Sequence, residues 1–275
     1  MKHTNPSLAR IRQFQSAILR YYRNNGRVLP WRKTHDPYRI LVSEVMLQQT
    51  QVERVVTKYA QFLTAFPDFA SLARADLHEV LKVWQGMGYN RRALALRETA
   101  LRVMRDFNGA LPDDVDTLAT LPGIGRATAS AVRAFAFNKP SVFIETNIRR
   151  VFLSFFFKRR SNVSDSEILP LVETTLYKRS PRIWYSALMD YGVYLKRRFP
   201  ELNKRGAGYQ KQSPFQGSNR QMRGKVLREL VKNPATETGI ARVLGLEPMN
   251  IRPILTQLLR EGFIVKKRNN FAVAG

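Results

Sequence analysis

The sequence predicts an all-α body followed by a small winged-helix-like domain that ends in a β-hairpin. Three observations predict it. Apolar residues recur at helical spacing through the first 198 residues, in short runs separated by Gly- or Pro-containing breaks, with no period-two segment before residue 200. A polar, basic, Gly- and Ser-bearing stretch over 199–221 then interrupts the pattern. Beyond it come three helical segments and two short apolar runs, Phe263-Ile264-Val265 and Phe271-Ala272-Val273, flanking the basic turn Lys266 to Asn270. The predicted organisation is a body over 1–198, a basic linker over 199–221, and a winged-helix-like domain over 222–275.

Each element has its own signal. Residues 7–25 place Ile11, Phe14, Ile18, Leu19 and Tyr22 at helical spacing and stop near Asn24-Asn25-Gly26. One long helix is predicted from Ile40 to about Leu63, closed by Phe66-Pro67-Asp68. Shorter helices fit 70–74, 76–84, 90–107, 114–120, 126–137, 145–157, 165–177 and 181–198. Gly86-Met87-Gly88, Gly109 to Pro112, Pro122 to Gly125 and Lys139-Pro140 mark breaks between several of them. In the C-terminal part helices fit 222–233, 237–244, which ends at Gly245, and 248–262.

Charge narrows the function. Forty-four per cent hydrophobic residues in 275 suffice for a core, but 46 Lys and Arg face only 21 Asp and Glu, a formal net charge of +25. A pI near 10.9 is the footprint of a nucleic-acid binder. The basic residues are spread along the chain rather than gathered on the amphipathic helix a membrane surface would want, and no run of about 18 apolar residues occurs. Cysteine is absent, which excludes disulfides, cysteine-ligated zinc and a cysteine-held iron–sulfur cluster. His3, His35 and His78 are too scattered for a metal site. No cofactor is expected, with a monovalent cation at the hairpin described next left open.

Residues 121–128, Leu-Pro-Gly-Ile-Gly-Arg-Ala-Thr, read as a hairpin between two helices, the second starting at about Arg126. Free N–H groups and the positive dipole end of that helix suit a backbone phosphate. Gly123, Gly125, Arg126 and Thr128 are therefore the candidate DNA-backbone residues. The stretch resembles a helix-hairpin-helix, which grips DNA without reading sequence; the plain alternative is an ordinary helix corner with a glycine cap.

Two acids carry the candidate chemistry. Glu44 lies on a helix among apolar neighbours, including Met46 and Leu47, where desolvation favours the neutral form and suits a general acid. Glu145 follows the apolar run Val142-Phe143-Ile144 and opens a helix, where the dipole and free N–H groups favour the anion. Each has an ordinary alternative, a solvent-facing helix glutamate and a helix-capping acid. As a pair with separated pKa values they would divide the work of glycosidic cleavage.

The resemblance becomes specific over residues 27–196. Leu29-Pro30-Trp31-Arg32, Asp36-Pro37-Tyr38, the run from Ser43 to Val52, Gly86-Met87-Gly88-Tyr89, Leu121 to Thr128, and Ala187 to Gly192 are similar to the helix-hairpin-helix DNA glycosylase superfamily, most closely its MutY-like adenine glycosylase branch. The resemblance implies a two-lobed helical body. It implies that Glu44 protonates the departing base and that Glu145, where the family normally has aspartate, stabilises the oxocarbenium-like sugar. It places Arg27, Trp31 and Asp190 around a flipped adenine, and Gln49, Thr50, Met87 and Tyr89 where the duplex is wedged and the opposite base contacted, with Gln48 assisting. Such enzymes extrude their target nucleotide.

Three departures accompany it. Glu145 carries an extra methylene, so its carboxylate must fold back or the pocket must shift. The four cysteines that commonly hold an iron–sulfur cluster in this family are missing; Lys196 stands near the first, and the basic stretch 196–211 is expected to supply phosphate contacts instead. The C-terminal part does not match the family's usual 8-oxoguanine-recognition domain. Bifunctional relatives such as endonuclease III use a lysine in the second helix of the hairpin. Ala127 occupies that position here and Lys139 lies nearby, so hydrolysis without strand nicking is expected. The leading reading is a monofunctional glycosylase removing adenine opposite 8-oxoguanine or guanine in base excision repair. A thymine or uracil mismatch glycosylase acting on T:G or U:G, and a non-catalytic DNA-binding protein on the same scaffold, stay open. The expected partner is double-stranded DNA carrying a mismatch or oxidative lesion, with no membrane; the chain is expected to be a monomer, located with the chromosomal DNA in a prokaryotic-type cytoplasm.

Overall fold

A computed structural model describes residues 6–210 and 214–275, so Lys211 of the basic stretch and His3 lie outside the described residues. In chain order the helices are α1 (Leu8–Asn25), α2 (Pro37–Leu47), α3 (Val52–Ala65), α4 (Phe69–Arg74), α5 (Leu77–Trp84), α6 (Arg91–Asp106) and α7 (Val115–Ala119). They continue with α8 (Arg126–Phe137), α9 (Thr146–Phe156), α10 (Asp165–Thr174), α11 (Pro181–Arg198), α12 (Asn219–Lys232), α13 (Glu237–Leu244) and α14 (Pro248–Arg260). Short 3-10 helices cover Pro30–Arg32 and Pro200–Arg205. The three strands are β1 (Ala235–Thr236), β2 (Ile264–Lys267) and β3 (Asn270–Val273). The all-α body and the terminal hairpin of the prediction are both present. The hairpin gains a third strand, because β1 pairs antiparallel with β3 in the order β1-β3-β2. At two residues β1 is too short for any periodicity to show.

By packing, the described residues form two units. One comprises 6–44, 112–120 and 124–210; the other comprises 45–111, 121–123 and 214–275. In the first, α9 and α11 pack closely and α1 lies on α11, with Phe14 meeting Phe152, Phe155, Phe156 and Trp184 edge to face. The closeness of α9 to α11 depends on Gly192. A Cβ there would stand 2.5 Å from both the Cβ and the carbonyl oxygen of Asn147. Arg150 fixes the same contact by donating to the Gly192 carbonyl at 2.9 Å and to Asn147 Oδ1 at 2.8 Å.

In the second unit α4 and α5 pack on α6, and the C-terminal residues join them through α12 on α5, where His78 Nε2 meets the Val231 carbonyl at 2.7 Å. Arg91 and Arg223 both pair with Glu261, whose carboxyl is held well below its ordinary value chiefly by the hydrogen bond from Arg223.

The helix predicted over 40–63 is two helices. It breaks at Gln48–Gln51, where Gln49 takes φ +54°. The cause is Arg92, distant in sequence. Arg92 is 9% exposed, and its guanidinium donates to the carbonyls of Val45, Met46 and Gln48, ending the helix, and to Thr50 Oγ1. It also donates to the carbonyls of Met87 and Gly88. One buried cation therefore collects the backbone of two loops, and its charge-assisted bonds are stronger than neutral ones. Its pKa is pushed down to about 10 by burial, which leaves it charged at neutral pH.

Two outcomes follow from this packing. Arg92→Ala should lower unfolding free energy by about 3 kcal/mol, read by urea denaturation, because five carbonyls lose a charged donor. Gly192→Ala should cost about 1–3 kcal/mol in the same assay by forcing α11 away from Asn147.

Candidate active site and DNA-facing loops

Glu44 sits in the last turn of α2, flanked along the chain by Leu41, Val42, Ser43, Val45 and Met46, none more than 4% exposed. Burial pushes its carboxyl up to about 8, the charge of Glu145 pushes the same way, and Arg32 pulls weakly against both. Glu44 is thus a protonated acid at neutral pH.

Glu145 is the N-cap of α9. Its Oε1 accepts from the N–H groups of Asn147 at 2.8 Å and Ile148 at 2.9 Å, while Oε2 accepts from Asn147 Nδ2 at 3.2 Å. The longer side chain has folded back onto the helix end. The dipole expectation needs one correction: burial outweighs these bonds and the Arg150 and Arg149 charges, leaving the Glu145 carboxyl above its ordinary value rather than below it. Those bonds favour the anion at Glu145, and Glu44 has no comparable set of donors. A charge on Glu145 helps to keep Glu44 neutral.

Asp190, on α11, is 2% exposed and every lone-pair direction of its carboxylate is used. It accepts from Arg27 N at 2.8 Å, Arg27 Nε at 2.6 Å, Arg32 Nη1 at 2.8 Å and Arg32 Nη2 at 2.9 Å. Burial pushes its carboxyl up, but the two arginines outweigh this and hold it below the ordinary aspartate value. Trp31, 7% exposed, stands between these arginines in the 3-10 helix. The first unit thus brings Arg27, Trp31, Glu44, Glu145 and Asp190 into one body.

The second unit holds another set. Gln49 is exposed at its φ +54° turn, and Tyr89 takes φ +49° in the Gly88-Tyr89 turn. Thr50 and Gln48 are bound to Arg92 through a side-chain hydroxyl and a carbonyl. Met87, by contrast, is 2% exposed, and its carbonyl is what joins the Arg92 network.

The hairpin motif begins α8 at Arg126 as predicted, with Gly123 at φ +72°. A Cβ on Gly123 would meet the Ala95 Cβ at 2.7 Å, so this glycine is required on two counts. Gly125, the N-cap of α8, is exposed and has no side chain to cap the helix, which leaves the first N–H groups of α8 open to an anion. Arg126 pairs with Asp116 at 2.5 Å, with both side chains about three-quarters exposed, a contact weak enough to exchange for phosphate. Thr128 lies within the first turn of α8.

Sequence reasoning missed Arg32, Asn147, Arg150 and Arg92. The signal available was arginine at otherwise apolar helix positions, since Arg92 and Arg150 are both buried. The iron–sulfur cluster implied by the family does not fit this chain, which has no cysteine, and among the described residues no group of three or more His, Asp or Glu could hold a metal ion. Where the cluster loop would begin, α11 instead runs through Lys196 to Arg198 and the Pro200–Arg205 helix packs on α9, burying Leu202 and Asn203. No described helix is long and apolar enough to cross a membrane.

A family model described as HhH-GPD superfamily base excision DNA repair protein matches residues 42–169. The adenine DNA glycosylase of Mycolicibacterium smegmatis is 33% identical over 278 residues, covering 94% of this chain and 95% of that protein. That of Buchnera aphidicola (Baizongia pistaciae) is 35% identical over 188 residues, covering 66% of this chain and 52% of that protein, so the chain spans about half the length of this relative. The human adenine DNA glycosylase is 36% identical over 158 residues, 54% of this chain and 29% of that protein. Among solved structures, a thermostable thymine-DNA glycosylase aligns with TM-score 0.60 at 28% identity, covering 67% of this chain and 86% of that one. A trapped endonuclease III–DNA covalent intermediate aligns with TM-score 0.55 at 22% identity, covering 76% of this chain and 91% of that one, a likeness of fold. Their agreement with the hairpin and the placed acids leaves one conclusion: the chain belongs to the HhH-GPD superfamily of base excision DNA repair proteins, in its MutY-like adenine DNA glycosylase branch.

Proposed function

We propose that this chain is a monofunctional DNA glycosylase that hydrolyses the N-glycosidic bond of adenine mispaired with 8-oxoguanine or guanine in duplex DNA. One observation carries the chemistry: burial among apolar residues pushes the Glu44 carboxyl up to about 8, while Glu145 is anchored as the N-cap of α9 by the N–H groups of Asn147 and Ile148. Glu44 donates its proton to the departing base, so the electron pair of the C–N bond leaves on a neutral base. Glu145 faces the positive charge that develops on the sugar, and water adds at the anomeric carbon, giving free base and an abasic site. Asp190 positions Arg27 and Arg32 rather than meeting the base, since its lone pairs are filled. Gln48, Gln49, Thr50 and Tyr89 form the loops that fill the space left by the extruded nucleotide, held by Arg92.

Hydrolysis without a lyase step is supported by Ala127, which puts a methyl group where a Schiff base would need an amine, and by the ion pair that holds Lys139 against Asp113. The duplex grip falls to Gly123, Gly125, Arg126 and Thr128, where a monovalent cation remains a candidate companion. The likeness to a thymine-DNA glycosylase supports a second reading, release of thymine from T:G.

Single-turnover base release on A:8-oxoguanine, A:G, T:G and U:G duplexes, with and without alkali, tests both readings. Adenine release with strand cleavage only after alkali is expected. Thymine release would establish the second reading, and cleavage without alkali would overturn the monofunctional assignment. Glu44→Gln should reduce base release by at least about a hundredfold while leaving duplex affinity unchanged. The rate should be highest below pH 8 and fall as pH rises through about 8, where Glu44 loses its proton. Stability should follow the same group. The folded chain holds this proton from about pH 4.5, the ordinary value, up to about 8, so Glu44 makes the fold progressively less stable across that window as pH rises. The melting temperature of Glu44→Gln should therefore match wild type near pH 4.5 and exceed it increasingly towards pH 8.

A further inference from the structure

The C-terminal residues of the second unit carry features that base release does not use. Helices α13 and α14 are joined by three residues, Gly245-Leu246-Glu247, and the turn depends on Gly245 at φ +66°. Two helices joined by so short a turn, glycine included, have the build of a DNA-binding helix–turn–helix, whose second helix enters the major groove. The second helix here, α14, is two-faced. Ile251, Ile254, Leu255 and Leu258 are buried, whereas Asn250, Arg252, Thr256 and Arg260 are exposed, with Met249 and Pro253 among them. The open face thus presents hydrogen-bonding groups on a helix about 20 Å long, able to lie in a groove about 12 Å wide.

The β2–β3 hairpin brings charge to the same side. Its tip is the two-residue turn Arg268-Asn269 between the paired Lys267 and Asn270, and Lys266, Lys267 and Arg268 are all exposed. Arg268 takes φ +55°, a conformation glycine would adopt freely, so the tip carries a cation where turn chemistry alone favours none. Two contacts set this tip beside the first half of α14. Asn270 pairs with Thr236, the N-cap of α13, and the next residue, Glu237, forms an ion pair with Arg252 of α14. Residues 235–275 hold six cations and three acids, and two of those acids, Glu237 and Glu261, are already held by arginines. A basic turn alone attracts any polyanion. The helix beside it selects duplex, because a single strand has no groove for α14, and a protein partner would want a larger apolar face than Met249 and Pro253 supply.

We propose that α14 and the hairpin form a second duplex-binding face, built from none of the residues assigned to base release. Asn250, Arg252 and Thr256 enter the major groove, and Lys266, Lys267 and Arg268 rest on the phosphates beside it. Such a face holds undamaged duplex as well as damaged, so it tethers the chain to DNA between lesions. The inference concerns binding alone and stands whichever base is removed.

The test measures Kd of the full chain by fluorescence anisotropy for three probes. They are an undamaged duplex several helical turns long, one of its separated strands, and the same duplex with glucosylated hydroxymethylcytosines, whose sugars fill the major groove. Lys266→Ala with Lys267→Ala and Arg268→Ala should weaken duplex binding about tenfold or more and reduce the slope of log Kd against log salt by about 3. Wild type should bind the groove-filled duplex about tenfold more weakly than the plain one, the scale of a lost base contact. Asn250→Ala with Thr256→Ala should remove most of that difference. Circular dichroism and the urea midpoint should match wild type throughout, since all five side chains are exposed. A salt slope unchanged by the hairpin substitutions overturns the proposal, as does a wild type indifferent to the filled groove or a difference that the Asn250/Thr256 variant keeps in full. Equal losses on single strand and duplex also overturn it, marking the turn as a general polyanion site.

Discussion

A single buried carboxylate organises the first of the two units. Asp190 is almost fully buried and accepts four hydrogen bonds from two arginines. Burying a charge is costly unless it is paired and fully bonded, and this one is both. The arrangement sets two things at once. It ties the loop bearing Arg27 and Trp31 to α11, whose other contacts with α9 hold the N-terminus that Glu145 caps. It also occupies the guanidinium of Arg32, whose charge lowers the Glu44 pKa. With Arg32 committed to Asp190, desolvation and the Glu145 charge decide the state of Glu44, and both keep the proton on.

Much of this was legible in the sequence because local signals agreed with the fold. Helices over 126–137, 181–198 and 237–244 have the predicted limits, since glycine, proline or a side-chain cap marks their ends. The break inside 40–63 was not legible. No proline or glycine lies there, and what ends α2 is a guanidinium arriving from α6, more than 40 residues away. The same holds for β1, whose pairing with β3 is a tertiary event. Glu44 and Glu145 were singled out from the residues around them, but the pKa of Glu145 was misjudged. A helix-end argument weighs the N–H groups and the dipole and omits burial, which is set by packing that a linear reading cannot see.

The chain has no cysteine, and the segment after α11 is held by hydrogen bonds. Its contacts are polar and local. Val163 and Gly206 form a parallel bridge, with the Val163 N–H donating to Arg205 O at 3.0 Å and the Ala207 N–H to Val163 O at 2.8 Å. Arg205 adds a bond to the Arg160 carbonyl at 2.8 Å. The segment from Pro200 to Gly206 is therefore fastened to the turn before α10, and the basic residues that precede it, Lys196, Arg197 and Arg198, are carried in the last turn of α11, where the negative dipole end favours cations.

The glutamate at position 145 is best understood from the same geometry. An aspartate N-cap reaches the helix N–H groups with one methylene, whereas a glutamate must bend its extra methylene back to do so. Glu145 does so with a single oxygen, Oε1, which takes both the Asn147 and Ile148 N–H groups and leaves Oε2 to the weaker 3.2 Å contact from Asn147 Nδ2. The carboxylate thus divides into one anchored oxygen and one loosely held oxygen. Asn147 is itself fixed by Arg150 and by the close packing of Gly192, so the position of Oε2 is set by α11 rather than by free rotation of the side chain. The extra methylene is absorbed by the cap, which leaves Oε2 the less constrained oxygen.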